Sequence, residues 1–408
     1  MKAYNFDPLY TELLRDPYPF YHRLQESDPV HWSNLGFWVV TRFEDARRVL
    51  IDKHFGQGDF VSNIRLFYDA EFDVLAHPSY AWLSRVFVMQ DPPDHTRLRG
   101  LIAGALSLKR IRAMEPRIRE LASSQLQRYA SGGTGNFMAD FAYLFPTLVM
   151  CDMLGLDEQE YSEELLFKLN QAIADTFPVF ETRSLSPAEL ALADSQMDYL
   201  TGFFDDLFER RRAHPRDDLT TALVQAREGD DSLTAQELST SVIGLFGAGF
   251  ETTAHMIGNG MYLLGAHPGE RERLVTDPGL AGPAVEEFLR YDSSLQASYR
   301  TALVDETVGE QPIAAGQRVL AIVAAANRDP RHFHAPDTFS ILPREEKPLS
   351  FGGGIHYCVG AELARLEGRV FLEELVSRYP SFEVDTGSAR RRPAFLFRGF
   401  EHLEVVLR

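Results

Sequence analysis

The 408-residue chain is 45% hydrophobic and 25% charged, the mixture of a soluble globular protein with ample material for a large core. Its 41 basic and 59 acidic residues give a net charge of −18, which argues against nucleic acid as a general partner and says nothing about fold. Length alone suggests two or three domains, but no Pro/Ser/Gly linker, internal repeat or low-complexity tract marks a boundary.

The first 21 residues are broken by Asp7-Pro8, Asp16-Pro17 and Pro19 and have neither a signal peptide's apolar centre nor a transmembrane span. No later stretch is apolar for long enough, so the expectation is a soluble protein without a membrane anchor. Residues 19–25 read as a short helix, and 30–32 and 37–40 flank Ser33-Asn34-Leu35-Gly36, a hairpin signal. Residues 43–51 follow as a helix with Phe43, Ala46, Val49 and Leu50 on one face. The segment 55–88 is irregular and rich in aromatics, among them Phe60, Tyr68, Phe72, Tyr80, Trp82 and Phe87. A long loop of this kind is usually functional, although ordinary packing explains any single ring equally well.

Asp91-Pro92-Pro93-Asp94 leads into His95 and Arg99, four apart and therefore on one helix face. Together they form either an anion-binding pair or a solvated surface. Helical patterns cover 118–130, 137–154, 161–174 and 187–212. Cys151 falls inside one of them as a packed core residue, and Phe177-Pro178-Val179-Phe180 interrupts the series like the tip of a lid.

The longest helical pattern runs over 234–266, opened by the capping box Thr234-Ala235-Gln236-Glu237 and stopped by His267-Pro268. At about 1.5 Å per residue it would span roughly 50 Å. Its middle is unusual. Gly244, Gly247 and Gly249 each weaken a helix by about 1 kcal/mol relative to alanine, and Glu251, Thr252 and Thr253 then place polar groups in an apolar run. Gly249 can let the backbone open, and a threonine hydroxyl can bond an i−4 carbonyl or a water. The result is a hydrated notch with an acid and an alcohol, suited to delivering protons in a dry pocket; the alternative is a helix-packing notch.

Residues 282–291 form a short helix with Pro283 in its first turn and Glu287 and Arg290 three apart. Beyond Asp292 the chain turns strand-like at 295–298 and 319–323, and 395–397 with 403–407 read as a terminal hairpin. Between them stands Phe351-Gly352-Gly353-Gly354-Ile355-His356-Tyr357-Cys358-Val359-Gly360, just ahead of a helical run over 361–378. Glycine permits positive φ and close backbone approach to a flat ligand. A cysteine before a helix N-terminus is pushed toward thiolate. One cysteine cannot build a zinc site, which wants about four ligands, but it can be the axial ligand of a haem, whose porphyrin supplies the other donors. A buried structural cysteine and a Cys358–His356 nucleophile pair are the competing explanations.

The spacing Phe351, Gly352, Gly354, His356, Cys358, Gly360 resembles the cysteine-ligand loop of the cytochrome P450 superfamily, the haem-thiolate monooxygenases. The resemblance extends over nearly the whole chain, with the motifs in the family's order. It implies a mainly α fold with small β-sheets, a single domain over residues 1–408, and haem b between the long helix and the cysteine loop. It assigns the iron to Cys358 and the haem surroundings to Ala248, Phe351, Gly352 and Gly360, with the propionates held by His95, Arg99, Arg300 and His356. Ala248-Gly249-Phe250-Glu251-Thr252-Thr253 resembles the oxygen-activation motif, which makes Thr252 the distal hydrogen-bonding group and Glu251 its link to solvent. By the same resemblance Phe87, Val88, Phe180, Ile243, Gly247, Leu295, Ala297, Ser298 and Phe397 line the substrate pocket. Glu287 and Arg290 become a buried folding element. The family often adds an arginine where this chain has Thr338, so that leg falls to Arg331 or Arg344. With Cys358 as ligand, Cys151 has no disulfide partner, which suits a reducing cytoplasm.

The reaction implied is insertion of one oxygen atom from O2, by hydroxylation or epoxidation, into a mainly apolar small molecule. The chain's style resembles bacterial members that tailor polyketides and macrolides. No flavin or iron–sulfur motif is present, so NAD(P)H electrons are expected through a ferredoxin and a ferredoxin reductase. Lys109, Arg110, Arg112, Arg365 and Arg369 are the basic residues expected to steer that partner. The rivals are an H2O2-dependent peroxygenase, which generally lacks the Glu251–Thr252 pair, a haem-thiolate domain that only recruits a partner, and a haem-free cysteine hydrolase.

Overall fold

A computed structural model of the protein describes residues 5–132, 135–156, 162–227 and 231–408. The chain is mainly helical with small sheets, as expected. It divides into two compact units, one built from Met1–Gly56, Glu115–Phe145 and Thr252–Arg408, the other from Gln57–Met114 and Pro146–Glu251.

The first unit holds every strand found among the described residues. They are β1 (Val30–Trp32), β2 (Trp38–Val40), β3 (Phe55–Gly56), β4 (Gly135–Asn136), β5 (Ser298–Ala302), β6 (Glu306–Val308), β7 (Gln311–Ile313), β8 (Arg318–Ala321), β9 (Glu383–Arg391) and β10 (Phe400–Val406). The expected hairpin joins β1 to β2. Ser33 N–H donates to Phe37 O at 2.9 Å, and Gly36 takes the positive φ of +86° that the turn requires. The main sheet has the order β1-β2-β8-β5-β3, with β2 parallel to β8 (Trp38 opposite Val319) and β5 antiparallel to it (Arg300 opposite Val319).

The helix Phe43–Ile51 buries the predicted face, Phe43, Ala46, Val49 and Leu50, in a core shared with Val40, Val319 and Ala321. Phe43, Val49 and Leu50 each contribute roughly 1.5–3 kcal/mol when fully buried. β10 pairs with β4 and β9 in a second sheet, and β6 with β7 in a third.

The helix Ala281–Tyr291 carries the buried pair Glu287–Arg290. Arg290 Nε donates to Glu287 Oε2 at 2.7 Å and its Nη2 to Oε1 at 2.8 Å. The missing third arginine is Arg344, whose Nε donates to Glu287 Oε2 at 3.2 Å; Arg331 instead lies 3.6 Å from Asp329. Thr338, at the position where the family often has arginine, contributes its backbone carbonyl, which accepts from Arg290 at 3.3 Å and from Arg344 at 3.2 Å.

The second unit is helical among its described residues. The segment expected to be irregular contains the helices Phe60–Arg65 and Pro78–Leu83, with 3-10 turns at Val74–Ala76 and Phe87–Met89. The helix expected over 161–174 is Glu163–Thr176; Tyr161 lies outside the described residues. Phe177–Phe180 is a 3-10 turn with Phe177 and Val179 buried, so it is packed in place rather than an exposed tip.

The long helix Ala235–Ala266 contributes to both units, passing from one to the other between Glu251 and Thr252. The expected capping box is present: Thr234 N donates to Glu237 Oε2 at 2.9 Å and Glu237 N to Thr234 Oγ1 at 3.2 Å. The helix stays α-helical through Gly249. A Cβ at Gly249 would stand 2.5 Å from Met150 Sδ, and one at Gly247 would stand 3.2 Å from Ile173 and Phe177 side-chain atoms. These two glycines therefore admit close-packed neighbours; no opening of the backbone occurs at Gly249.

Candidate functional site

In the first unit the cysteine loop is built by glycine at two places. Gly352 and Gly354 have φ of +70° and +63°. The loop also lies flat on the end of the helix Phe43–Ile51: a Cβ on Gly354 would stand 2.9 Å from Ile51 Cα, and one on Gly353 would stand 2.6 Å from Ile51 Cγ2. Cys358 N–H closes the loop by donating to Phe351 O at 2.9 Å. Gly360 is the N-cap of the helix Ala361–Arg378, and a Cβ there would stand 4.0 Å from Cys358 Sγ. The sulfur is thus held beside a helix N-terminus, where the macrodipole favours the thiolate.

The two cysteines differ sharply. Burial pushes the Cys151 thiol far above its ordinary pKa, whereas Cys358 is exposed on its loop. His356 ends the 3-10 turn Gly354–His356 and is half-buried. Arg300 is buried on β5, its Nη1 donating to Ser298 Oγ at 3.0 Å and to Tyr299 O at 2.6 Å.

Leu295 and Phe397 are brought together. They form an antiparallel bridge, with Gln296 N donating to Leu396 O at 2.9 Å and Arg398 N to Ser294 O at 2.7 Å. Ala297 beside them is buried and Ser298 half-buried. The terminal hairpin is formed by β9 and β10, not by 395–397 with 403–407; residues 395–397 lie in its tip, where Phe397 meets Leu295. The anchor of that tip is not legible in the sequence: Asp292 is remote from Arg391 and Arg398, and the three carry no local pattern. Burial alone would raise the Asp292 carboxyl, but Arg391, Arg398 and Arg328 outweigh it and hold it well below the usual carboxylate range.

The expected basic residues of this unit are already matched. Arg365 Nε lies 2.5 Å from Glu286, and Arg369 lies 2.9 Å from both Glu115 and Glu373. Both stay about a third exposed while paired with these carboxylates.

In the second unit the helix Asp94–Ala105 carries buried His95 and half-buried Arg99, one turn apart. Arg97 ties this helix to the start of the long helix through Glu237. The Phe87 ring lies 6.2 Å from the His95 ring, with half-buried Val88 following it. Phe180 packs edge-on to Trp82 at 6.1 Å, and Trp82 Nε1 donates to Thr240 O at 3.3 Å. Trp82 is the partner that sequence reasoning passes over among so many aromatics. On the long helix Ile243 and Gly247 are buried, while Ala248 is exposed between them and buried Phe250. Glu251 is buried and Thr252 half-buried.

The chemistry of the cysteine loop fits a haem. Cys358 offers one exposed thiol on a preformed glycine cradle, the donor that a haem's axial position takes. Among the described residues no group of three or more His, Cys, Asp or Glu is placed to hold a metal ion. No helix among the described residues is long and apolar enough to cross a membrane.

Comparison with known proteins agrees. The Cytochrome P450 family pattern matches residues 37–277 and 281–397. The chain is 33% identical over 400 residues to the Vitamin D(3) 25-hydroxylase of Pseudonocardia autotrophica, covering 96% of this chain and 94% of that one. It is 33% identical over 404 residues to the 6-deoxyerythronolide B hydroxylase of Saccharopolyspora erythraea, covering 96% of each. It superposes with a TM-score of 0.88 on the crystal structure of P450BioI in complex with hexadec-9Z-enoic acid ligated acyl carrier protein, at 31% identity over 98% of this chain and 99% of that one. The chain therefore belongs to the cytochrome P450 family and is a haem-iron monooxygenase.

Proposed function

We propose that the chain acts as one cytochrome P450 domain that binds haem b and hydroxylates or epoxidises a large, mainly apolar natural product of polyketide or macrolide type. The observation that carries the haem-thiolate reading is Cys358, an exposed thiol in a glycine-built loop beside a helix N-terminus. The haem, once bound, supplies the activation of O2 and the transfer of one oxygen atom. Everything else falls to the protein. Cys358 would hold the iron, with Phe351, Gly352, Gly360 and Ala248 bordering the ring. His95, Arg99, Arg300 and His356 would hold the propionates by charge-assisted hydrogen bonds.

In this proposal Thr252 Oγ1 holds a hydrogen-bonded water on the distal side, and the Glu251 carboxylate passes protons to it from solvent. Phe87, Val88, Phe180, Ile243, Gly247, Leu295, Ala297, Ser298 and Phe397 exclude water and orient the substrate. The substrate class rests on this apolar set and on relatives named for vitamin D3 and 6-deoxyerythronolide B. Electrons are proposed to come from NAD(P)H through a ferredoxin and its reductase in the cytoplasm, since the sequence carries no flavin or iron–sulfur motif. The Glu251–Thr252 pair favours O2 over peroxide as oxidant.

Titrating the purified holoenzyme with a panel of macrolactones, sterols, acyl chains and small polar metabolites tests the substrate class. A low-to-high-spin Soret shift with the large apolar compounds supports it. Tight binding by small polar metabolites alone contradicts it.

A further inference from the structure

Asp292 follows the helix Ala281–Tyr291 and is buried. Each of its carboxylate oxygens is taken by a different arginine from the last strand pair and its tip. Arg398 Nε donates to Oδ1 at 2.9 Å and Arg391 Nη2 to Oδ2 at 2.6 Å, while Tyr18 Oη donates to Oδ1 at 3.2 Å. Arg398 uses its other nitrogens on the backbone, Nη1 to Leu14 O at 3.1 Å and Nη2 to Arg15 O at 3.2 Å. Buried Asn259 on the long helix closes the cluster. Its Oδ1 accepts from Arg391 Nη1 at 2.8 Å, and its Nδ2 donates to Asp292 O at 3.0 Å and Arg398 O at 3.1 Å.

The cluster thus grips the backbone at 292 and 398. From these two points the segments 294–296 and 396–398 run side by side, joined by the Arg398 N to Ser294 O and Gln296 N to Leu396 O bonds, with Leu295 opposite Phe397. Gln296 is pinned again by its own side chain, which donates to Ser293 O at 2.7 Å and accepts from Tyr21 Oη at 3.3 Å. Buried ion clusters add little net stability over apolar packing of the same volume. What a carboxylate shared between two arginines does supply is directional placement.

We propose that Asp292, Arg391 and Arg398 are positioning residues for substrate selection: they fix the Leu295–Phe397 bridge as one wall of the substrate pocket. This rests on the assignment of Leu295 and Phe397 to that pocket. Deleting an ion pair that flanks the wall, with Asp292 three residues before Leu295 and Arg398 next to Phe397, should then change which molecules fit while leaving the haem ligand alone.

The test uses holoenzyme and two iron-ligating probes, imidazole, which needs no wall, and 4-phenylimidazole, which does. Affinities are read from the Soret shift for Asp292→Asn, Arg398→Lys, Phe397→Ala and the two double variants with Phe397→Ala. The expected result is an unchanged reduced carbonyl band, unchanged imidazole affinity, and a change of about tenfold in the 4-phenylimidazole to imidazole ratio. Added to Phe397→Ala, the cluster substitutions should change that ratio no further. Hydrogen exchange at the Gln296 and Arg398 amides should accelerate, a readout that serves even if Asp292→Asn loads haem poorly. An unchanged ratio and unchanged exchange in Arg398→Lys would overturn the proposal, as would full additivity with Phe397→Ala. If Phe397→Ala itself leaves the ratio unchanged, the pocket assignment of Phe397 fails and the proposal with it; the carbonyl band reports separately whether the haem-thiolate reading stands.

Discussion

Arg344 Nε donates to Glu287 Oε2 at 3.2 Å across 57 residues of sequence, completing a buried carboxylate that Arg290 already holds in bidentate fashion. Glu287 Oε1 also accepts from Ser340 N at 2.9 Å, so one carboxylate organises both the helix Ala281–Tyr291 and the segment 336–344. Arg344→Met should destabilise the protein by about 1–3 kcal/mol, because Glu287 loses a charged donor but keeps Arg290. Arg290→Met should cost about 3–5 kcal/mol by leaving a buried charge uncompensated. Arg331→Met should stay within about 0.5 kcal/mol of the parent. Urea denaturation of the three variants checks the order, and an Arg331 effect equal to that of Arg344 would contradict it.

The proposed role of Thr252 predicts a kinetic signature. Thr252→Ala should keep haem reduction and NAD(P)H consumption, while product per NAD(P)H falls and hydrogen peroxide rises. Thr252→Ser, which keeps the hydroxyl, should couple nearly as well as the parent. Measured peroxide and product yields decide; full coupling in Thr252→Ala would return Thr252 to a packing role.

Glu367 lies fully buried on the helix Ala361–Arg378, and neither of its carboxylate oxygens has a hydrogen-bond partner among the described residues. Burial raises its pKa well above that of a free glutamate. The folded state therefore binds the proton more tightly than the unfolded state. Its stabilising contribution is complete below the solution value of about 4.3 and is lost as pH rises toward the folded value, at about 1.4 kcal/mol per unit. Glu367→Gln should consequently raise the melting temperature at pH 8 and leave it nearly unchanged at pH 4. A variant less stable than the parent at pH 8 would show that Glu367 is ionised and paired.

Gly354→Ala tests the cradle. The substitution forces an alanine to a φ of +63° and its Cβ to 2.9 Å from Ile51 Cα. The left-handed conformation alone costs about 1–2 kcal/mol. Haem retention should fall on gel filtration, whereas Gly104→Ala, with no atom within 4 Å of the added Cβ, should load normally. Equal loading of both would contradict the cradle.

Features written in consecutive residues are legible in the sequence. The Thr234–Glu237 cap, the Gly36 turn and the glycine spacing around Cys358 each depend on a few neighbouring residues and the backbone between them. What stays hidden depends on approach between distant segments. Nothing local distinguishes Arg344 from Arg331, and only the fold brings one of them to Glu287. Gly249 reads as a weak point on helix propensity alone, because Met150, which fills the space against it, lies 99 positions earlier. Arg365 and Arg369 each have one remote carboxylate partner, Glu286 and Glu115, that no local pattern announces, besides Glu362 and Glu373 one turn away on their own helix. The Asp292 cluster joins residues from Tyr18 to Arg398 and has no motif at all.

The central claim is that Cys358 supplies the thiolate of a haem monooxygenase. The most direct test is the absorption spectrum of the dithionite-reduced carbonyl complex of parent and Cys358→Ser, prepared with haem under identical conditions. The account predicts a strongly red-shifted Soret band in the parent and its loss in Cys358→Ser, with Cys151→Ser indistinguishable from the parent. A Cys358→Ser protein that keeps the red-shifted band would contradict it.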